Sequence, residues 1–253
     1  MRVELYKLLR KKTTYLLFFP LIVPLFWGVA MLLNINMELT EEGVTHEFIS
    51  RGVGLFQFSY EMLNLANIFF IFIFLILASL LLAKEIETSE INLYVVRVGD
   101  RVKLIWARFM ALLVVQTVFY ALFFLVTSML YLLVADLNAY GIESIWDADI
   151  RRYLIAIVAV YMGNMILLSL TLLMGIKLKT FTCFVTVFVL YVISLYFRQF
   201  TVWLQLLFPE HFASYVVQHG FSSVSMPSYF LLFVSYGLMF LGISVVLFKH
   251  KEL

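Results

Sequence analysis

Residues 84–103, KEIETSEINLYVVRVGDRVK, carry charge of both signs in a chain that is only 13% charged. Lys84, Glu85, Glu87 and Glu90 come first, and Arg97, Arg101 and Lys103 follow, with Ile86, Ile91, Leu93 and Tyr94 between them. No nucleophile or paired acid and base stands among them, so the pattern does not read as catalysis. Mixed charge beside apolar side chains suits a surface that docks a soluble partner through charge-assisted hydrogen bonds. Polar residues within the long apolar runs are neutral, notably Asn67, Gln116, Thr127, Ser128, Asn164, Ser169 and Thr171. Such residues act as hydrogen-bonding glue between helices. Asn67, Gln116 and Asn164 are also the candidates for lining a substrate path.

Other chemistry lacks its residues. There is no GxxxxGK[ST] phosphate loop, no HExxH and no GxSxG. Cys183 is the sole cysteine, which excludes an internal disulfide and a CxxC site. His211 and His219 have no third ligand beside them, and the acidic stretches 34–64 and 135–152 do not match a calcium loop. The chain is expected to bind no metal or cofactor, to contact no nucleic acid, and to be no enzyme in its own right.

The elements that must position these residues follow from composition. Of 253 residues, 64% are hydrophobic and 17% aromatic. Soluble domains are about 45–50% apolar and about 25% charged, so a water-soluble enzyme and a disordered chain are both excluded. A spanning helix needs about 20 mostly apolar residues. Six runs free of Lys, Arg, Asp, Glu and His qualify, at 14–33, 65–83, 109–134, 153–176, 181–197 and 229–248. They are apolar all round, without the alternation of a barrel strand. The expected fold class is therefore all-α, a single polytopic transmembrane domain over 1–253. Pro20 and Pro24 lie inside the first run and predict a bend there.

An even number of spans puts both termini on one side. With the termini in the cytosol, 14 of the 18 Lys and Arg face inward, and 10 of the 16 acids, Glu210 among them, face outward. The positive-inside rule selects that orientation. Ahead of the first span, residues 1–13 place Leu5, Leu8 and Leu9 at helical spacing among basic residues, which predicts an amphipathic helix in the cytosolic interface with membrane lipids. Residues 198–228 are apolar but interrupted by Pro209, Gly220 and Pro227. Short outer-leaflet helices or a re-entrant hairpin fit that segment. No charge falls inside a predicted span, which weighs against a proton-coupled pump or a voltage sensor.

This order of elements resembles the ABC-2 type permeases, the membrane subunits of type V ABC transporters. The resemblance covers essentially the whole chain: a basic amphipathic entry helix at 3–12, six spans, a charged loop after the second, a broken apolar segment before the sixth, and a short basic tail at 249–253. Its most specific stretch is LLLAKEIETSEINLYVVRVGDRVKLIWARF. Lys84-Glu85 matches the family's basic-acidic pair, Arg101 its arginine and Arg108 a later basic position. Thr88-Ser89 stands where Gly-Thr is common, and Val98 where proline is common.

The resemblance implies a permease in a bacterial cell membrane, exporting an amphipathic lipid, glycan, peptide or drug. Its partners would be cytosolic ABC ATPase subunits, which hold ATP and Mg, and a second permease copy or a related permease. Residues 84–103 would be the coupling helix, with Lys84, Glu85, Glu87, Glu90, Arg97 and Arg101 meeting the ATPase. Two other classes stay open on the sequence: a non-transporting membrane scaffold, and a gradient-driven carrier or channel.

Overall fold

The structure, a computed structural model, describes residues 2–32, 38–41, 44–47, 54–98, 100–138, 150–196, 206–219 and 226–250. The stretches 139–149, 197–205, 220–225 and 251–253 lie outside them, and with them much of the second outer loop, part of the broken segment and most of the basic tail.

Helix α1 (Arg2–Arg10) leads into a 3-10 helix (Lys12–Leu21) and then α2 (Ile22–Leu32). The change from 3-10 to α geometry falls between Pro20 and Pro24, where a bend is expected from the two missing backbone donors. A short antiparallel hairpin, β1 (Glu38–Glu41) and β2 (Val44–Glu47), pairs Glu38 with Glu47 and Glu41 with Val44. Next come α3 (Leu55–Glu87), α4 (Glu90–Val98), α5 (Arg101–Asn138), α6 (Ile150–Gly175), α7 (Thr180–Tyr196), α8 (Pro209–His219) and α9 (Met226–Lys249).

Among the described residues, five helices are long and apolar enough to cross a membrane: Lys12–Val29, Leu55–Glu87, Arg101–Leu133, Ile150–Gly175 and Pro227–Lys249. The protein is thus an all-α, multi-pass membrane protein. The fifth predicted span corresponds to α7, whose 17 residues cover about 25 Å at 1.5 Å per residue. Two helices outrun their apolar runs. The sequence predicts α3 from 65 and α5 from 109, yet they begin at Leu55 and Arg101. Their extra turns hold polar residues such as Gln57, Glu61 and Lys103, which a count of apolar residues passes over.

Helix α3 is the central element. Two thirds of its apolar window (67%) is buried within the chain, against 22% for Pro227–Lys249 at the periphery. The 3-10 helix, α5, α6 and α7 pack around it, and α6 in turn carries α8 and α9. Phe70 of α3 anchors the contact with α5, its ring 5.2 Å from Tyr120 and 5.4 Å from Phe123. Close approach of α3 and α6 is set by small residues: a Cβ added at Gly175 would sit 3.4 Å from that of Ala83. Phe18, Phe19, Phe26, Val118, Leu125, Leu231 and Val246 are exposed. In a bilayer they meet acyl chains rather than water.

Candidate functional site

Two polar centres interrupt the apolar bundle. The first lies where α1, α3, α4 and α5 converge. Arg108 of α5 is fully buried, and its Nη2 donates to Oε2 of Glu85, itself 5% exposed. Glu4 of α1 stands 4.0 Å from Arg108 Nε, and Lys7 bridges Glu4 at 3.3 Å and Glu85 at 3.7 Å. The Lys7 ammonium also lies 3.2 Å from the centre of the Tyr94 ring on α4, a cation–π contact. Lys11 donates to the Leu80 carbonyl at 3.1 Å, and burial holds its ammonium below the ordinary lysine range. Two carboxylates thus balance Lys7 and Arg108, as charges withdrawn from water require.

This arrangement revises the reading of α1. Leu8 is buried and Leu5 partly so, while Leu9 is 52% exposed. The inward face is completed by Glu4, because Arg108 demands a countercharge there. Val3, Tyr6 and Leu9 are left on the outer face.

The six expected coupling residues separate. Lys84 and Glu90 are exposed at the α3–α4 junction. Glu85 is buried, drawn inside by its pairing with Arg108. Glu87 reaches the start of α7, accepting hydrogen bonds from the Thr180 Oγ1 at 2.8 Å and backbone N–H at 3.2 Å. It therefore satisfies an amide that the helix terminus leaves without an intrahelical partner. Arg101 donates to the Phe248 and Lys249 carbonyls at 3.4 and 3.2 Å, closing the C-terminal end of α9. Arg97 belongs to α4, and its side chain lies outside the described residues. Between α3 and α4, Ser89 takes φ 60°, the left-handed conformation that glycine adopts at least cost.

The second centre lies farther along the bundle. Asn67 is about 27 Å beyond Glu85 along α3, and Tyr120 about 18 Å beyond Arg108 along α5, at 1.5 Å per residue. Asn164 Nδ2 donates to Asn67 Oδ1 at 2.9 Å and to the Tyr120 hydroxyl. Gln116 Nε2 donates to the Tyr161 carbonyl at 2.9 Å. Asn67, Gln116 and Asn164, the three amides picked out in the sequence, are all buried, and Asn67 and Asn164 are joined directly.

The sequence missed the carboxylate beside them. Asn67 Nδ2 donates to Glu210 Oε1 at 2.7 Å. Glu210 belongs to α8, in the segment read as outer, and is half-buried against the middle of α6, where a Cβ at Gly163 would lie 3.4 Å from Pro209 and 3.7 Å from Glu210. The Tyr191 hydroxyl of α7 also hydrogen-bonds Glu210. Phe212 fixes the next turn, its ring 5.0 Å from Tyr229 and 5.6 Å from Phe233 of α9. His211 Nε2 lies 2.8 Å from the Ser194 carbonyl, while the side chain of His219 is outside the described residues. The available signal was Pro209-Glu210, a proline and an acid in a helical first turn. It marks a helix start but not its depth.

No curated protein and no solved structure matches the chain. A model of the family described as protein of unknown function (DUF2705) matches residues 26–253, and the chain belongs to that family.

Proposed function

We propose that the chain is the transmembrane subunit of an ABC transporter, an exporter of amphipathic cargo driven by separate cytosolic ATPase subunits. In this reading six helices cross the cell membrane, α7 included, and both termini face the cytosol. A second copy or a related permease completes the pathway. The observation that carries the reading is the position of α4. This short helix follows the second apolar helix and touches α1 through Lys7 and Tyr94, beside the Glu85–Arg108 pair that ties α3 to α5. A partner pressing on α4 would thereby displace the ends of α3 and α5 together with the interfacial helix. Lys84 and Glu90, both exposed, are the docking residues of this face.

The test is whether a P-loop ATPase is encoded beside this chain and co-purifies with it, followed by hydrolysis measurements in lipid. The complex is expected to hydrolyse ATP and to be stimulated by amphipathic cargo, and the purified chain alone to hydrolyse none. Failure of any ATPase to associate, or turnover by the isolated chain, would remove the proposal. One observation favours a second reading, a gradient-driven carrier: Glu210 places a carboxylate among the apolar helices, where ionisable groups serve ion and proton pathways. Uptake driven by an imposed proton gradient without nucleotide distinguishes it.

A further inference from the structure

Glu210 is an acid with no countercharge among the described residues. Among the described residues no Lys, Arg or His forms an ion pair with it; the groups that meet it are the neutral Asn67 amide and the Tyr191 hydroxyl. Buried carboxylates are ordinarily paired, because an unpaired charge in a low-dielectric interior costs several kcal/mol. The surroundings already hold too many acceptors: Asn164 Oδ1 and Gln116 Oε1 are buried with no donor. Burial accordingly pushes the Glu210 carboxyl up to about 7, against the opposing effect of the hydrogen bonds from Asn67 and Tyr191.

We propose that Glu210 is a proton-binding site, and that its occupancy governs how deeply α8 is seated between α3, α6, α7 and α9. With the proton bound, the neutral carboxyl keeps its bond to Asn67 and α8 stays docked. With the proton lost, the carboxylate seeks water and the first turn of α8 shifts outward. Partial exposure of Glu210 leaves it open to proton exchange. The groups facing it are the Asn67 amide of α3 and the Tyr191 hydroxyl of α7, with Tyr120 of α5 behind Asn67; α6 presents Gly163, and α9 meets α8 through Tyr229, whose ring packs on Phe212. His211, next to Glu210 on α8, turns to the Ser194 carbonyl of α7.

The sign follows from linkage. The folded-state value lies above the unfolded one, so the docked form is favoured at low pH. That advantage declines from the ordinary glutamate range upward and is gone above about pH 7.

The experiment uses the full chain in lipid nanodiscs with Cys183→Ser and nitroxides at the exposed positions Gln218 and Arg151. The distance distribution is expected to change between about pH 4 and about pH 8.5, with a midpoint between the ordinary glutamate range and about 7. With Glu210→Gln it is expected to hold the acid-form distribution at both values. Infrared titration of the unlabelled wild-type chain provides a readout that needs no variant: a protonated-carboxyl stretch is expected to disappear around the same midpoint. A distribution independent of pH, a shift that persists with Glu210→Gln, or the lack of a carboxyl band titrating above the ordinary glutamate range would each overturn the proposal.

Discussion

Arg108 of α5 donates a hydrogen bond to Glu85 of α3, and the guanidinium is wholly shielded from solvent. Arg108 Nε and Nη1 make no hydrogen bond of their own, so Glu85 is its closest compensation, backed by Glu4. Removing one partner leaves an uncompensated buried charge, which costs about 3–5 kcal/mol. Glu85→Gln is expected to lower the thermal midpoint in detergent sharply, and the double variant Glu85→Leu with Arg108→Met to regain most of the loss. A double variant no more stable than the single one would show that the charges matter for more than mutual compensation.

Gly163 fixes how closely α8 approaches α6. Its α hydrogen faces Pro209, so Gly163→Leu has no free space to enter. Overpacking of this kind costs about 1–3 kcal/mol. The expected result is loosening of α8, read as faster maleimide labelling of Ala213→Cys in a Cys183→Ser background, since Ala213 is fully buried. Labelling at the parental rate would place the strain elsewhere.

The proposed docking surface at the α3–α4 junction is open to charge reversal at its exposed positions. Lys84→Glu combined with Glu90→Lys should leave the thermal midpoint nearly unchanged, because surface substitutions stay within about 0.5 kcal/mol. If the proposed function holds, ATPase capture should fall about tenfold, equivalent to about 1.4 kcal/mol. Glu85→Lys is unsuited to this purpose, as it would set two cations together in the core. Undiminished capture by the Lys84 and Glu90 variant would move docking away from this junction.

Arg101 ties the start of α5 to the end of α9 through two main-chain carbonyls. A basic side chain at a helix C terminus contributes about 0.3–1 kcal/mol. Arg101→Ala should therefore speed amide exchange in the last turn of α9, whose His250 N–H bonds Val246 O at 3.4 Å, without altering exchange in α3. Equal exchange in both chains would make the contact energetically silent.

The membrane class of the protein was legible in the residues themselves; of the six predicted spans, five are helices long enough to cross among the described residues, and the other is the 17-residue α7. Crossing a bilayer is a local requirement: a run of the right length and apolarity suffices, whatever its neighbours are. The three amides Asn67, Gln116 and Asn164 were conspicuous for the same reason, as polar points in apolar runs. Burial of charge was not legible, because it depends on which helices become neighbours. Glu85 read as a surface acid until Arg108, 23 residues on, came to face it. Glu210 read as an outer-loop acid, since its helix is too short to span and its partner Asn67 lies 143 residues away. Sequence patterns record each segment's preference for water or hydrocarbon. The electrostatic environment of an ionisable group is set by the segments packed against it, and only the tertiary structure brings those together.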